Sequence, residues 1–445
     1  MSMDRRAFIA GAAGTGAAAV LGVSGAASAE SARRGWNAHG HIRTLTAITQ
    51  VFGEGQKLVA VAVEYDAVIS RHGLSTTTFA VADRTVTAVY PNSEPRIAAS
   101  GRDGRYVIVE LSPEDDAALL WVHIDNGGGG VGAGGPSVGD NTPGYKIVPA
   151  SADVTQTGSV YTVRGRTYPA LTEALPTTGA INLIVDEFTQ HTYTDAATGR
   201  TLGYNLFLPR GYNRHKRYPL VLFMHDAGVI AVDTIGPLVQ GLGAVCWASP
   251  EDQARHECIV VAPEYPEVVI GDDYQPSTYF EATVNLVNEI ASTYAVDRSR
   301  MHATGQSMGA MLALGMNIRH PGMFASSFIV AGQWPSDQAA PLAKEKLWVL
   351  VSQDDEKAYP MEQAIMDVVE SEGTEVATGV WNGESTPAQF AADVRSVAEQ
   401  HAPVNFTSFA SGTLPTDTQA HPETWRVAYT IPGIRDWILQ RRGHR

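Results

Sequence analysis

The chain has 445 residues, 44% of them hydrophobic and 18% charged, so it is long enough for two domains and a substantial buried core. Its formal net charge of −15 argues against nucleic acid or an anionic membrane surface as a partner, because neither is attracted to an acidic protein. These bulk properties leave the oligomeric state open.

The first 29 residues resemble a twin-arginine export signal. Arg5 and Arg6 are followed by a weakly hydrophobic run rich in alanine and glycine, residues 11–26. Ala27-Ser28-Ala29 then has the small-residue spacing of a cleavage site. The run is too short and too rich in glycine to span a membrane, and no later stretch is suited to it. We therefore expect a secreted protein, exported in the folded state and without a membrane span.

Residues 30–175 are predicted to form a small all-β sandwich. Short segments rich in β-branched and aromatic residues recur there with turns between them. These segments are residues 57–63, 76–81, 85–90, 106–111 and 159–163. A glycine-rich stretch, residues 127–139, is predicted to be a long loop at the edge of this domain.

Residues 176–445 have a different pattern and are predicted to form an α/β domain. A hairpin, residues 183–194 and 202–208, comes first. Apolar strands then alternate with helices, which favours a mostly parallel sheet covered by helices. The predicted strands are 220–224, 259–262, 301–304 and 347–351, and the predicted helices are 279–294, 310–319, 361–372 and 387–400.

Gly305-Gln306-Ser307-Met308-Gly309 is the most informative motif of the chain, because a predicted strand precedes it and an apolar helix follows it. A serine on such a sharp turn exposes its hydroxyl, and the helix N-terminus stabilises negative charge nearby. A Cβ at either glycine would clash with the neighbouring strand or helix. This layout predicts a nucleophile elbow with Ser307 as the nucleophile.

A second match to the same pattern, around Ser137, lacks this context. It follows a run of glycines rather than a strand, and Pro143 and Gly144 follow it rather than a helix. We interpret Ser137 as a loop residue.

A serine nucleophile needs a base, and the base needs a carboxylate that fixes its tautomer. In α/β-hydrolases the acid follows the nucleophile in the chain, and the histidine follows the acid. The predicted strand 347–351 leads into Asp354 and Asp355, at the sheet edge where ligands bind. We predict Asp355 as the acid, with Asp354 as the alternative.

Three histidines follow this acid. His401 ends a predicted helix and is interpreted as a cap, and His444 lies in the C-terminal tail. His421 lies in a loop rich in glycine, proline and threonine, residues 412–422, before the final helix. We predict His421 as the base, because catalytic groups are concentrated on loops held by a rigid sheet.

An oxyanion hole requires two backbone N–H groups aimed at the developing charge. We predict Met308, directly after the nucleophile, and Ala227, in the turn after strand 220–224. Trp334, after the apolar segment 328–331, is a candidate for the substrate pocket, and packing in the core is the alternative.

The only cysteines are Cys246 and Cys258. An oxidising destination permits a disulfide between them, which would contribute about 3 kcal/mol, but two buried thiols are an equal alternative. Neither cysteine has a metal-ligand pattern around it, so no metal is expected.

Together these features resemble secreted α/β-hydrolases of the carboxylesterase and polyhydroxybutyrate-depolymerase-like type, some of which carry an N-terminal immunoglobulin-like domain. The segments that carry the resemblance are 218–225, 296–300, 355–360 and 421–425. It covers residues 180–440 well and the β-rich region loosely. It implies a Ser307–Asp355–His421 triad and ester hydrolysis without a cofactor.

One position departs from that family. Its members usually have His-Gly in the first loop, where this chain has His225-Asp226. A carboxylate near an oxyanion opposes its charge, so we expect Asp226 to point away or to bind a substrate cation.

The sequence therefore predicts a secreted serine hydrolase that cleaves small-molecule or polymeric carboxylic esters. One alternative keeps the triad but assigns it to a serine peptidase of the prolyl-oligopeptidase-like type. The other is a polymer- or surface-binding protein with a vestigial hydrolase domain.

Overall fold

The computed structural model describes residues 40–124, 137–415 and 420–443. The predicted export signal, most of the glycine-rich stretch and His444 lie outside these ranges. Among the described helices, none is long and apolar enough to cross a membrane. The described residues divide into two compact units. The first holds residues 40–50, 56–120 and 148–183, and the second holds 51–55, 121–124, 137–147, 184–415 and 420–443.

The first unit is built of β-strands. The described strands up to residue 182 are β1 (Ile42–Phe52), β2 (Gly55–Ile69), β3 (Phe79–Val81), β4 (Val86–Asn92), β5 (Gly104–Leu111), β6 (Trp121–His123), β7 (Tyr145–Ile147), β8 (Asp153–Gln156), β9 (Val160–Tyr161), β10 (Thr167–Tyr168), β11 (Leu175–Pro176) and β12 (Gly179–Asn182). Five form one sheet in the order β12-β1-β2-β5-β4, and three form another in the order β11-β8-β3. The β6–β7 hairpin belongs to the second unit.

Side chains of β2 and β5 fill the core of the first unit. Val61 faces Val109 and Val63 faces Val107 across this antiparallel pair, and all four are buried. Cross-strand pairs of β-branched residues stabilise such sheets.

The predicted strand 76–81 is only half correct. Thr76–Thr78 form a 3₁₀ turn, and the strand begins at Phe79. The turn is favoured because the Thr78 hydroxyl accepts the Ser75 N–H at 2.9 Å, which competes with an extended conformation.

The second unit contains a nine-stranded sheet. Its strands are β13 (Thr189–Thr194), β14 (Thr201–Phe207), β15 (Tyr218–Met224), β16 (Ile259–Glu264), β17 (Val296–Gln306), β18 (Ser326–Val330), β19 (Leu347–Ser352), β20 (Val376–Trp381) and β21 (Val404–Phe409). The order is β13-β14-β16-β15-β17-β18-β19-β21-β20. The β13–β14 and β14–β16 pairs are antiparallel, and the other neighbours are parallel.

Helices connect these strands. They are α1 (Gly236–Val239), α2 (Leu242–Val245), α3 (Pro250–Arg255), α4 (Tyr279–Thr293), α5 (Met308–Arg319), α6 (Ala358–Ser371), α7 (Pro387–Ala398), α8 (Ala420–Ala428) and α9 (Pro432–Leu439). Every residue of β15, β16, β18 and β19 is buried, as expected for parallel strands covered by helices. This is the α/β-hydrolase fold, as predicted.

Candidate active site

Ser307 lies between the end of β17 and the beginning of α5, so its motif forms the predicted strand–turn–helix. Its backbone has φ 51° and ψ −119°, a conformation that residues with a side chain rarely adopt. The Ser307 N–H donates to the carbonyl of Val330 at 3.1 Å, and the Ser307 carbonyl accepts the Met311 N–H at 2.9 Å. Surrounding hydrogen bonds thus hold a strained residue, which is typical of functional sites.

The two glycines of the motif are required by close backbone contacts. A Cβ on Gly305 would lie 2.4 Å from the carbonyl oxygen of Gly309. A Cβ on Gly309 would lie 2.0 Å from the carbonyl oxygen of Met224, at the end of β15. The predicted clash with the neighbouring strand and helix is confirmed.

His421 joins Ser307 and Asp355 in one hydrogen-bonded chain. Its Nε2 lies 2.9 Å from the Ser307 Oγ, and its Nδ1 lies 2.5 Å from the Asp355 Oδ2. A carboxylate at Nδ1 favours the tautomer with the proton on Nδ1, so Nε2 can accept the serine proton. The Trp425 ring packs against the imidazole nearly at a right angle, with ring centroids 5.0 Å apart.

The surroundings of His421 differ from the sequence prediction in one respect. Helix α8 begins at Ala420, so His421 lies in the first turn of a helix and not in a loop before it. Of the other histidines considered as bases, His401 follows α7 with φ 59°, as a C-terminal cap does. His444 lies outside the described residues.

Asp355 is a buried carboxylate three residues after the end of β19. It accepts the backbone N–H groups of Ala358 at 2.9 Å and of Lys357 at 3.2 Å. Burial alone would raise its pKa, but the hydrogen bond and charge of His421, with these N–H groups, hold the pKa below its ordinary value. Asp355 therefore stays ionised opposite the imidazole.

The alternative acid, Asp354, points elsewhere. Its carboxylate accepts hydrogen bonds from the Ser411 hydroxyl and, at 2.7 Å, from the Gly412 N–H. The structure therefore places Asp355, and not Asp354, next to His421.

The predicted oxyanion-hole residues each begin a helical segment. Met308 is the first residue of α5, and Ala227 is the first residue of a 3₁₀ turn, Ala227–Val229. Backbone N–H groups at such starts have no partner within their own helix. The parallel strands β15 and β17 are neighbours, so both segments begin at the same edge of the sheet.

The carboxylate of Asp226 is held by the protein. Its Oδ1 accepts the Gly228 N–H at 2.8 Å, and its Oδ2 accepts the Gln306 side-chain amide at 2.9 Å. Whether this carboxylate points away from the oxyanion or binds a substrate cation, the two expectations for this residue, stays a prediction.

His225 is a site residue that the sequence reasoning did not single out. Its Nε2 accepts the Tyr265 N–H at 3.0 Å, so the proton is on Nδ1, which donates to the Asp226 carbonyl at 2.7 Å. Burial lowers the pKa of this imidazole to about 4, which keeps it neutral. The histidine thus ties the loop after β15 to β16. A polar residue at the end of an all-apolar strand was the signal in the sequence.

The proposed pocket role of Trp334 is wrong. Its side chain is fully buried, its ring lies against Tyr274, and a Cβ on Gly315 would meet it at 2.7 Å. Its indole N–H donates to Gln338 at 3.2 Å. Trp334 is a packing residue under helix α5.

The two cysteines are separate, buried thiols. Burial raises the pKa of Cys246 to about 12 and also raises that of Cys258. Among the described residues, no three His, Cys, Asp or Glu side chains form a group that could hold a metal ion.

Two family models match this chain. Residues 44–169 match the family described as "Esterase Ig-like N-terminal domain", and residues 196–412 match the family described as "Putative esterase". No curated protein matches the chain.

Solved structures resemble it as well. A thermostable esterase aligns with a TM-score of 0.75 and 24% identity, covering 90% of this chain and 100% of that chain. At this identity the likeness shows the fold alone.

Two further solved structures are less similar to this chain. A ferulic acid esterase aligns with a TM-score of 0.39 and 16% identity, covering 57% of this chain and 97% of its own. A mutant feruloyl esterase module from Clostridium thermocellum, complexed with sinapinate, aligns with a TM-score of 0.39 and 15% identity, covering 54% of this chain and 85% of that chain. Such low scores say nothing about the substrate here.

Proposed function

We propose that this chain, whose residues 44–169 and 196–412 match the two esterase family models, hydrolyses carboxylic esters with Ser307 as the nucleophile. The observation that carries the proposal is the hydrogen-bonded chain from Ser307 through His421 to Asp355. A vestigial domain would have no need to keep these three groups aligned. The family match favours an ester over a peptide as the substrate.

The first half of the reaction forms an acyl-enzyme. The Ser307 Oγ attacks the ester carbonyl carbon while its proton passes to the His421 Nε2. Asp355, ionised and buried beside Nδ1, stabilises the imidazolium that forms. The N–H groups of Met308 and Ala227 stabilise the oxyanion of the tetrahedral intermediate. Its collapse breaks the bond to the alcohol oxygen, which leaves with the proton from His421.

The second half returns the enzyme to its starting state. A water molecule gives one proton to the His421 Nε2, and its oxygen attacks the acyl carbon through a second tetrahedral intermediate. The bond to the Ser307 Oγ then breaks, the serine recovers its proton from His421, and the carboxylic acid departs. No external cofactor enters either half.

The test is the hydrolysis of short-chain 4-nitrophenyl esters by Ser307→Ala. Turnover should fall to background while the thermal unfolding temperature is maintained. Ser137→Ala, at the other Gly-x-Ser-x-Gly match, is the matched control and should keep full activity. A fluorophosphonate probe should label the wild type on Ser307. Undiminished turnover in Ser307→Ala would disprove the proposal.

Export through the twin-arginine route is part of the same proposal. The paired Arg5 and Arg6 and the segment Ala27-Ser28-Ala29 support it. Replacing both arginines by lysine should leave the protein inside the cell. Normal export of that variant would contradict it.

A further inference from the structure

The carboxylate of Asp226 connects the two sides of the predicted oxyanion hole. One of its oxygens is bonded to the Gly228 N–H, in the turn that contains Ala227. The other is bonded to the side chain of Gln306, the residue directly before the nucleophile. Gly228 is thus adjacent in the chain to Ala227, and Gln306 is adjacent to Ser307, and both of these neighbours take part in the proposed reaction.

These contacts are set in a buried polar network. Gln306 is 2% exposed, and its amide also donates to the side-chain oxygen of Gln240 at 3.1 Å. On the other side, the Asp226 carbonyl accepts the buried His225 Nδ1–H at 2.7 Å. Buried hydrogen bonds of this kind fix the conformation of the groups that they join.

Asp226 also decides which backbone N–H groups of the turn are engaged. Gly228 donates to its carboxylate, and Val229 donates to its carbonyl at 3.3 Å. Neither N–H is therefore available to an oxyanion, which leaves the predicted donor, Ala227, at the start of the turn.

The hydrogen-bond donors to the Asp226 carboxylate bring no positive charge to it. Both donors, a backbone amide and a glutamine amide, are neutral. The charge acts on its neighbours: the pKa of Tyr145 is raised, first by burial and then by the charge of Asp226. The charge of Arg426 acts on Tyr145 in the opposite direction. A negatively charged group bound beside the turn would be repelled by the Asp226 carboxylate.

We propose that Asp226 is a positioning residue of the oxyanion hole and that its charge disfavours esters with anionic acyl groups. The carboxylate connects the turn after β15 to the residue before the nucleophile, and the selectivity follows from its charge. The inference rests on the proposed ester hydrolysis.

Two variants distinguish the positioning role of Asp226 from the effect of its charge. Asp226→Ala removes both contacts. Asp226→Asn removes the charge and keeps an oxygen that can accept the Gly228 N–H. Asp233→Ala is the matched control. The carboxylate of the exposed Asp233 also accepts the backbone N–H two residues further along the chain, that of Ile235, at 3.2 Å. Each protein is assayed on 4-nitrophenyl hexanoate and on the 4-nitrophenyl monoester of adipic acid, which differ by a terminal carboxylate.

Asp226→Ala should lower kcat on the hexanoate roughly tenfold or more, with KM changed less than about threefold, because an oxyanion-hole contact acts in the transition state. Asp226→Asn should raise the ratio of kcat/KM for the adipate ester over the hexanoate about tenfold. Asp233→Ala should change neither quantity. A merely structural role would lower the unfolding temperature without changing the adipate-to-hexanoate ratio.

The inference is overturned if kcat of folded Asp226→Ala stays within about twofold of the wild type, or if the ratio is unchanged in Asp226→Asn. If Asp226→Ala does not fold, the adipate-to-hexanoate ratio of kcat/KM in Asp226→Asn alone tests the inference. A failure of the proposed function gives results that differ from these. In that case the wild type itself would not hydrolyse the hexanoate, or Ser307→Ala would remain active.

Discussion

Arg435 and Asp252, 183 residues apart in the chain, form a bidentate ion pair that is almost completely buried. The Arg435 Nε and Nη2 both donate to the carboxylate, the latter at 3.1 Å, and the two side chains are 2% and 4% exposed. The third guanidinium nitrogen donates to the Tyr429 carbonyl at 2.6 Å. The pair therefore fastens α9, and the turn that follows the helix of His421, to α3.

Asp252→Ala should destabilise the protein by about 3–5 kcal/mol, because it leaves the Arg435 guanidinium buried without its partner. The measurement is the free energy of unfolding from urea titrations. Lys216→Ala is the control: its ion pair with Glu257 is about half exposed, so less than about 1 kcal/mol should be lost. Equal losses of unfolding free energy in the two variants would show that the buried ion pair contributes no more to stability than the exposed one.

Asp355→Asn should lower kcat by about four orders of magnitude, because an amide cannot hold the His421 proton on Nδ1. Asp354→Asn should change kcat less than about tenfold, since Asp354 is bonded to Ser411 and Gly412 instead. Both variants should keep the unfolding temperature within a few degrees, so that the difference in kcat reports chemistry. A larger loss in Asp354→Asn than in Asp355→Asn would reverse the assignment of the acid.

The sequence predicted the parts of the site that depend on local pattern. Ser307 and Asp355 were predicted because each follows an apolar strand, and parallel strands end at one edge of the sheet. His421 was predicted from chain order and by elimination. None of this required knowledge of contacts between distant residues.

The remaining features depend on such contacts. Trp334 and a pocket tryptophan look alike in sequence, and only the packing of α5 distinguishes them. The strands β20 and β21 were not predicted, because exposed positions in β20 and polar residues in β21 break the apolar runs. The side-chain partners of Asp226 come from its own turn after β15 and from the elbow, where Gln306 lies 80 residues away in the chain. No local pattern encodes that distance.

Gly309→Ala should abolish or severely reduce activity. Its Cβ would lie 2.0 Å from the Met224 carbonyl oxygen, which is backbone and cannot rotate away. Either α5 or β15 must then shift. The predicted oxyanion-hole residue Met308 begins α5, and the turn with Ala227 follows β15. Gly179→Ala is the control, because its Cβ would meet nothing within 4 Å. Circular dichroism and ester turnover are measured together. Full activity in Gly309→Ala would contradict the close contact at the elbow.

His302 should make the stability of the fold depend on pH. It is fully buried in β17, and its Nδ1–H donates to the Ser326 hydroxyl at 2.9 Å, since that hydroxyl itself donates to the Ile438 carbonyl. Burial, and then the charge of Arg300, lowers its pKa to about 3. Below the ordinary histidine pKa of about 6.5, the imidazole is protonated in the unfolded chain but stays neutral in the folded protein. The free energy of unfolding therefore falls as the pH falls.

His302→Asn tests this effect, because asparagine keeps an N–H for Ser326 and does not titrate. Between pH 7.5 and pH 4.5 the wild type should lose about 2.5 kcal/mol more unfolding free energy than the variant. The comparison uses the decline within each protein, so any change in absolute stability at pH 7.5 cancels. His225, whose pKa is lowered to about 4, titrates in both proteins and adds the same slope to each. Parallel declines in the two proteins would mean that the buried imidazole of His302 is not the source.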